Sequence, residues 1–126
     1  MKKIFLLAGL TFVLASFAFQ GDADLIVGAF KSGKAEEVSK YLDDYVDIKL
    51  LDKAEVKNIG HKQAGLTLKA FFEENGINGF EKASDRAIGN TMYITGKLLN
   101  NGKNFGITLL LKMKEGKYQI ITLRIN

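Results

Sequence analysis

The chain has 126 residues, 47% hydrophobic and 25% charged, a balance that suits one compact domain and excludes a disordered tail. The formal charge is +4, and without Lys2 and Lys3 it is 16 basic against 14 acidic residues, too near neutral to support nucleic acid as a partner. Cysteine is absent, which excludes disulfide frameworks, thiolate nucleophiles, zinc ribbons and iron–sulfur centres, so the core alone must hold the fold.

Met1-Lys2-Lys3 is followed by an apolar run from Ile4 to Ala15, interrupted only by Gly9 and Thr11, and then by small residues. That is the order of a secretory signal peptide. The alternative, a membrane anchor, would need a longer apolar run. Cleavage after Ala18 places Ser16 and Ala18 at the small-residue positions; cleavage after Ala23 is the weaker option. No cysteine follows the run, so a thioether lipid anchor is excluded. Residues 1–18 are therefore expected to be removed and residues 22–126 to form a single domain. The mature protein is expected to be exported, periplasmic or extracellular, and not membrane-spanning. A Lys-Lys leader without cysteine suggests bacterial export.

The mature chain opens with a short amphipathic helix. Asp22 or Asp24 can cap it, Leu25, Ile26, Ala29 and Phe30 recur at helical spacing, and Gly33 stops it. A second short helix is predicted over Ala35–Tyr41, with Val38 and Leu42 on one side and a solvated face of Glu36, Glu37 and Lys40. Residues 45–51 change period: Val46, Ile48 and Leu50 alternate with Asp47 and Lys49, as in a half-buried strand. The main helix is predicted from about His61 to Asn75, with Ala64, Leu68, Phe71 and Phe72 on its apolar side and Gly76 after it.

The last 50 residues read as four antiparallel strands joined by tight turns. Asn101-Gly102 suits a type I′ turn, which pairs Leu98 with Phe105, Gly96 with Ile107, Ile94 with Leu109 and Met92 with Leu111. At Glu115-Gly116 glutamate tolerates positive φ poorly, so a three-residue loop, Lys114-Glu115-Gly116, with a bulge at the glycine is expected. It aligns Leu111, Leu109, Ile107 and Phe105 with Gln119, Ile121, Leu123 and Ile125. A two-residue turn would align them instead with Ile120, Thr122 and Arg124, since a one-residue slip exchanges the faces. The bulged register leaves Tyr93, Leu110, Tyr118 and Ile120 on the second face, where Leu110, Tyr118 and Ile120 become candidates for an interface; the alternative is a scattered, solvent-tolerant face.

A Gly89-Asn90 turn pairs Ala87 with Met92 and Asp85 with Ile94, which turns Asp85 toward the apolar row. A carboxylate there must be hydrogen-bonded, open to a water-filled cavity or raised in pKa, and the last is a route to a general base. A shifted register would instead send Asp85 outward. His61, the single histidine, falls at the start of the main helix, where the helix dipole disfavours its protonated form. A metal site would need carboxylates, and none is spaced like an EF-hand loop, so neither metal nor cofactor is expected. Gly76-Ile77-Asn78-Gly79 lacks the Lys-Ser/Thr of a phosphate loop, and no GxSxG elbow occurs.

Helix, helix, strand, long helix and a four-strand antiparallel meander is the order of an α+β cone in which a curved sheet wraps the main helix. With this order go Lys31-Ser32-Gly33-Lys34-Ala35, Lys40-Tyr41-Leu42, Lys62-Gln63-Ala64, Lys69-Ala70-Phe71-Phe72, Gly116-Lys117-Tyr118 and Leu123-Arg124-Ile125. On these the chain resembles the nuclear transport factor 2-like, or cystatin-like, superfamily over about residues 22–126. More narrowly it is similar to an uncharacterised family of small exported bacterial domains within it. The superfamily includes isomerases, dehydratases, small-ligand binders and dimerising modules, so the resemblance does not choose among functions. It implies an acid or base and a tyrosine inside the cone for an enzyme, for which Asp47, His61, Asp85, Tyr41, Tyr45 and Tyr93 would serve, without a matching catalytic motif.

Three functions are thus in contention. The first is an exported non-enzymatic binding module whose cone mouth, lined by Tyr41, Tyr45, Phe72, Phe80 and Tyr93, takes a small or extended apolar ligand. The second is a homodimer built on the sheet face. The third is an isomerase- or dehydratase-like enzyme with Asp85 or His61 as base.

Overall fold

The computed structural model describes residues 23–126. The leader and its cleavage after Ala18 lie outside the described residues. Three helices and six strands follow in order: α1 over 23–31, α2 over Ala35–Ser39, β1 over Leu42–Leu50, β2 over Val56–Gly60, α3 over His61–Glu74, β3 over Gly79–Ile88, β4 over Thr91–Leu99, β5 over Asn104–Lys114 and β6 over Lys117–Ile125. No described helix is long and apolar enough to cross a membrane.

The strands form one sheet in the order β2-β1-β6-β5-β4-β3. The expected four-strand meander is present, but the sheet has six strands: β1 joins β6 in parallel and β2 pairs antiparallel with β1. Sequence reading missed β2 because it has no period-two alternation; Val56, Lys57 and Asn58 are all exposed, and Asn58 sits at φ 57. β1 also starts earlier than expected, since α2 ends at Ser39, whose hydroxyl donates back to the Ala35 carbonyl (2.8 Å).

Helical spacing identified the buried stripes well. Ile26, Ala29 and Phe30 of α1 are buried, and so are Ala64, Leu68, Phe71 and Phe72 of α3, whereas Leu25 is exposed. Gly33, at φ +70, ends α1 where a Cβ would come within 2.8 Å of the Asn78 backbone, so only glycine fits.

The β4–β5 register is the one expected, and of the two β3–β4 registers that the sequence left open the structure takes the one set by a two-residue Gly89-Asn90 turn. Leu98 faces Phe105, Gly96 faces Ile107, Ile94 faces Leu109, Met92 faces Leu111, Ala87 faces Met92 and Asp85 faces Ile94. The Asn101-Gly102 turn is not type I′, however, because only Gly102 has positive φ; Asn100 closes the loop by accepting the Lys103 N–H on its side-chain oxygen (2.6 Å).

The β5–β6 turn corrects the sequence reading. Glu115 (φ 50) and Gly116 (φ 79) both lie in the left-handed region, so a two-residue turn pairs Lys114 with Lys117 and Leu111 with Ile120. The bulge comes later, in mid-strand: Ile121 is the extra residue, after which Leu110 faces Thr122, Leu109 faces Leu123 and Ile107 faces Ile125. β1 shifts register at the same level, with Leu42 opposite Ile120 and Asp47 opposite Thr122. The physical reason lies in what each regular register would bury. A bulge at the turn puts Gln119 inside, whereas no bulge puts Thr122 and Arg124 inside. The mid-strand bulge buries the apolar half of each, Tyr118 and Ile120 before it and Leu123 and Ile125 after it. Tyr118 and Ile120 are therefore core residues, not members of an exposed face. Of the three interface candidates, Leu110 alone remains partly accessible on the outer side.

Aromatic side chains fill the space between helices and sheet. Phe30 lies 6.5 Å from Phe72 and 5.5 Å from Phe80 between ring centres, and Phe71 meets Phe105 edge-on at 5.7 Å. The Phe80 ring occupies the place of a side chain at Gly96, where a Cβ would stand 2.4 Å from the Glu81 carbonyl oxygen and 2.6 Å from the ring.

Candidate functional site

The residues expected to line the cone mouth do not converge. Phe72 and Phe80 are core, Tyr45 is 65% exposed opposite Gly60, and Tyr93 is 43% exposed on the outer sheet face between Arg86 and Leu110. Tyr41 is half-buried, its carbonyl accepting the Ile120 N–H (2.8 Å). Asp47 accepts the Asn58 N–H (2.9 Å) and so holds the β1–β2 hairpin.

Asp85 pairs with Ile94, the register set by the two-residue turn, but is exposed, because β3 is an edge strand and every residue from Glu81 to Ile88 is open to solvent. Its carboxylate accepts from the Lys82 ammonium (2.5 Å), a hydrogen bond that raises the lysine pKa against the smaller opposing effect of burial. His61 places Nδ1 3.0 Å from the Leu42 carbonyl oxygen. A carbonyl only accepts, so Nδ1 carries the proton and Nε2 is the basic nitrogen. His61 adjoins β2 at one edge of the sheet and Asp85 lies on β3 at the other. At about 4.8 Å per strand they are on the order of 20 Å apart and do not form one site. Among the described residues no group of three His, Asp or Glu side chains gathers where it could hold a metal.

One buried charge escaped the sequence reading. Asp43 is 6% exposed and accepts from the Lys114 ammonium at 2.5 Å, 71 residues away. Burial by itself raises its pKa, but the Lys114 hydrogen bond, the Asp44 N–H and the charges of Lys114 and Lys112 together hold it below the usual aspartate value. A depressed folded-state pKa contributes stability that is present above the unfolded value and lost as pH falls through the folded one. The urea midpoint of the wild type is therefore expected to fall more steeply than that of Asp43→Asn as pH drops from about 5 to 3. At pH 7 the variant should be less stable by about 1–2 kcal/mol. Parallel pH curves would show that the pair contributes nothing.

A concave surface that combines apolar lining with a few polar groups lies outside the cone, between α3 and the β1–β2 connection. Its larger hollow, of about 440 Å³, is lined chiefly by Leu50, Leu51, Leu66, Ala70 and Phe71, with Lys53, Gln63 and Glu74 as polar groups. A second hollow of about 240 Å³ continues it past Ile48, Val56 and Ile59, and the two share Leu50, Lys53, Gln63 and Thr67. Val56 and Leu66, both more than half exposed, stand on this groove, so it carries two of the large apolar side chains that folding leaves in water. Leu51 forms part of its wall in the left-handed region at φ 52, a conformation that costs a bulky side chain of order 1 kcal/mol. The strain is held by two hydrogen bonds, from the Leu51 N–H to the Ile125 carbonyl (2.7 Å) and from the Lys49 ammonium to the Leu51 carbonyl (2.6 Å). Lys49 and Ile125 thus fix the groove wall from below. In the sequence, Val56 and Leu66 are apolar residues left over from the strand and helix patterns, and they are the one signal that could have indicated this groove.

Residues 23–126 match the family described as a domain of unknown function, DUF4783. A DUF4783 family protein from Bacteroides ovatus is 27% identical, with a TM-score of 0.74 over 80% of this chain and 90% of that one. One from Bacteroides fragilis is 29% identical, with a TM-score of 0.70 over 80% and 93%. An NTF2-like protein of unknown function from Cytophaga hutchinsonii shares the fold at 12% identity, with a TM-score of 0.57 over 86% and 88%. Comparison with curated proteins returned no match.

Proposed function

Since the chain belongs to the DUF4783 family and carries the NTF2-like fold, we propose that it is an exported, non-enzymatic binding module whose apolar ligand lies in the groove between α3 and the β1–β2 connection. The observation that carries this reading is the contrast between the cone and this groove: Phe30, Phe72 and Phe80 occupy the cone, while the outer groove presents apolar walls and few polar groups. Export rests on the basic and apolar leader.

Decanol, below its solubility limit, is the appropriate first probe. The mature chain is expected to bind it, and Leu66→Glu, at a position 54% exposed, should weaken binding about tenfold while leaving the thermal midpoint within a few degrees. Unchanged affinity in that variant would contradict the groove.

A second reading is a homodimer across the outer sheet face, favoured by Tyr93 and Leu110 lying opposite each other there. Arg86 and Lys112 flank that pair, so two copies would bring like charges together. Light scattering showing a strict monomer at high concentration would remove it.

A further inference from the structure

Among the described residues, Lys53 is the one charged residue lining the smaller hollow, and it lies where the two hollows join. Two other cations on this side of the sheet are engaged: Arg124 bonds Glu55 at 3.0 Å, and Lys49 bonds the Leu51 carbonyl. The Lys53 ammonium has no ion pair or hydrogen bond among the described residues. An unpaired cation at the junction of two apolar hollows has the complementarity of an amphiphile with an anionic head. Glu74, at the α3 end of the larger hollow, sets a second condition, because its carboxylate repels a second anionic group.

We infer that the ligand of this groove is a linear monocarboxylic acid, its carboxylate on the Lys53 ammonium and its chain along Leu50, Leu51 and Leu66. The carboxylate supplies the charge that Lys53 lacks, and the chain covers the side chains that the fold leaves exposed. A dicarboxylic acid of the same length meets Glu74 and binds less well. This inference rests on the groove reading above, and the probes are chosen so that the two can fail separately.

Decanoate, decanol and decanedioate are titrated at pH 8, below their aggregation concentrations, into the mature wild-type chain and into Lys53→Gln. Lys53 is exposed, so the variant should fold as the wild type does, which its thermal midpoint checks. The expected result is decanoate binding about tenfold more tightly than decanol to the wild type, decanedioate more weakly than decanoate, and the decanoate preference gone in Lys53→Gln and reduced at high salt. Equal binding of decanoate and decanol to the wild type, or a preference that survives in Lys53→Gln, overturns the carboxylate assignment and leaves the groove standing. Binding of neither probe overturns both.

Discussion

Ile120→Lys is expected to abolish the fold, whereas Ile121→Lys, one residue further on, should be tolerated. Ile120 is fully buried, and Ile121 is the extra residue of the β6 bulge and only half-buried. An ammonium forced into the Ile120 site would lie among apolar side chains with no partner, a cost beyond about 4 kcal/mol. A small domain has only about 5–15 kcal/mol in total. At position 121 the long side chain can carry its charge to water, and the cost should stay within about 1 kcal/mol. Far-UV circular dichroism with urea unfolding reads both. A bulge at the Glu115-Gly116 turn would reverse the order, with Ile121→Lys the damaging change.

The second large effect is expected at Phe30. Its ring is fully buried and touches those of Phe72 and Phe80, so it ties α1, α3 and β3 together. Phe30→Ala removes that payload and leaves a cavity that the rigid sheet beneath cannot close, since the Gly96 backbone already meets Phe80. The loss should be about 3–5 kcal/mol. Tyr93→Ala, at an aromatic residue 43% exposed on the outer face, should cost about 1 kcal/mol or less. Comparable losses would mean that the cone is not the packed centre of the domain. Phe30→Leu, which keeps most of the volume, should recover over half of the stability.

Periodicity made α1 and α3 legible, because an apolar stripe on a helix is a local property of the chain. It made the β4–β5 register legible for the same reason, since Asn101-Gly102 joins strands that are neighbours in sequence. What escaped depends on contacts distant in the chain. The parallel pairing of β1 with β6 joins residues at least 75 apart, such as Leu50 and Ile125, and the bulge at Ile121 sits where both neighbours of β6 change register. No local rule places it there, and the reluctance of Glu115 to take positive φ pointed elsewhere. Asp43 escaped because its partner, Lys114, lies across the same long connection. Asp85 shows a related failure: local turn chemistry left its register open, and pairing alone does not say how exposed the end of an edge strand is.

Tyr41, Tyr45 and Tyr93 are aromatics of the kind that suits a pocket, yet strand alternation and chain position send them to different surfaces. The groove depends on Leu51 being held at positive φ by Ile125 and Lys49, contacts made only once β1 has met β6.

Aromatic rings fill the cone, and the proposed ligand site lies outside it. Intermolecular nuclear Overhauser effects between the mature chain and bound decanoate test that most directly. Contacts from the ligand chain to the Leu50, Leu51, Val56 and Leu66 methyls, with none to Ile94, Leu98 or Leu109, are the predicted result; contacts to those three and to the Phe30 and Phe80 rings would contradict it.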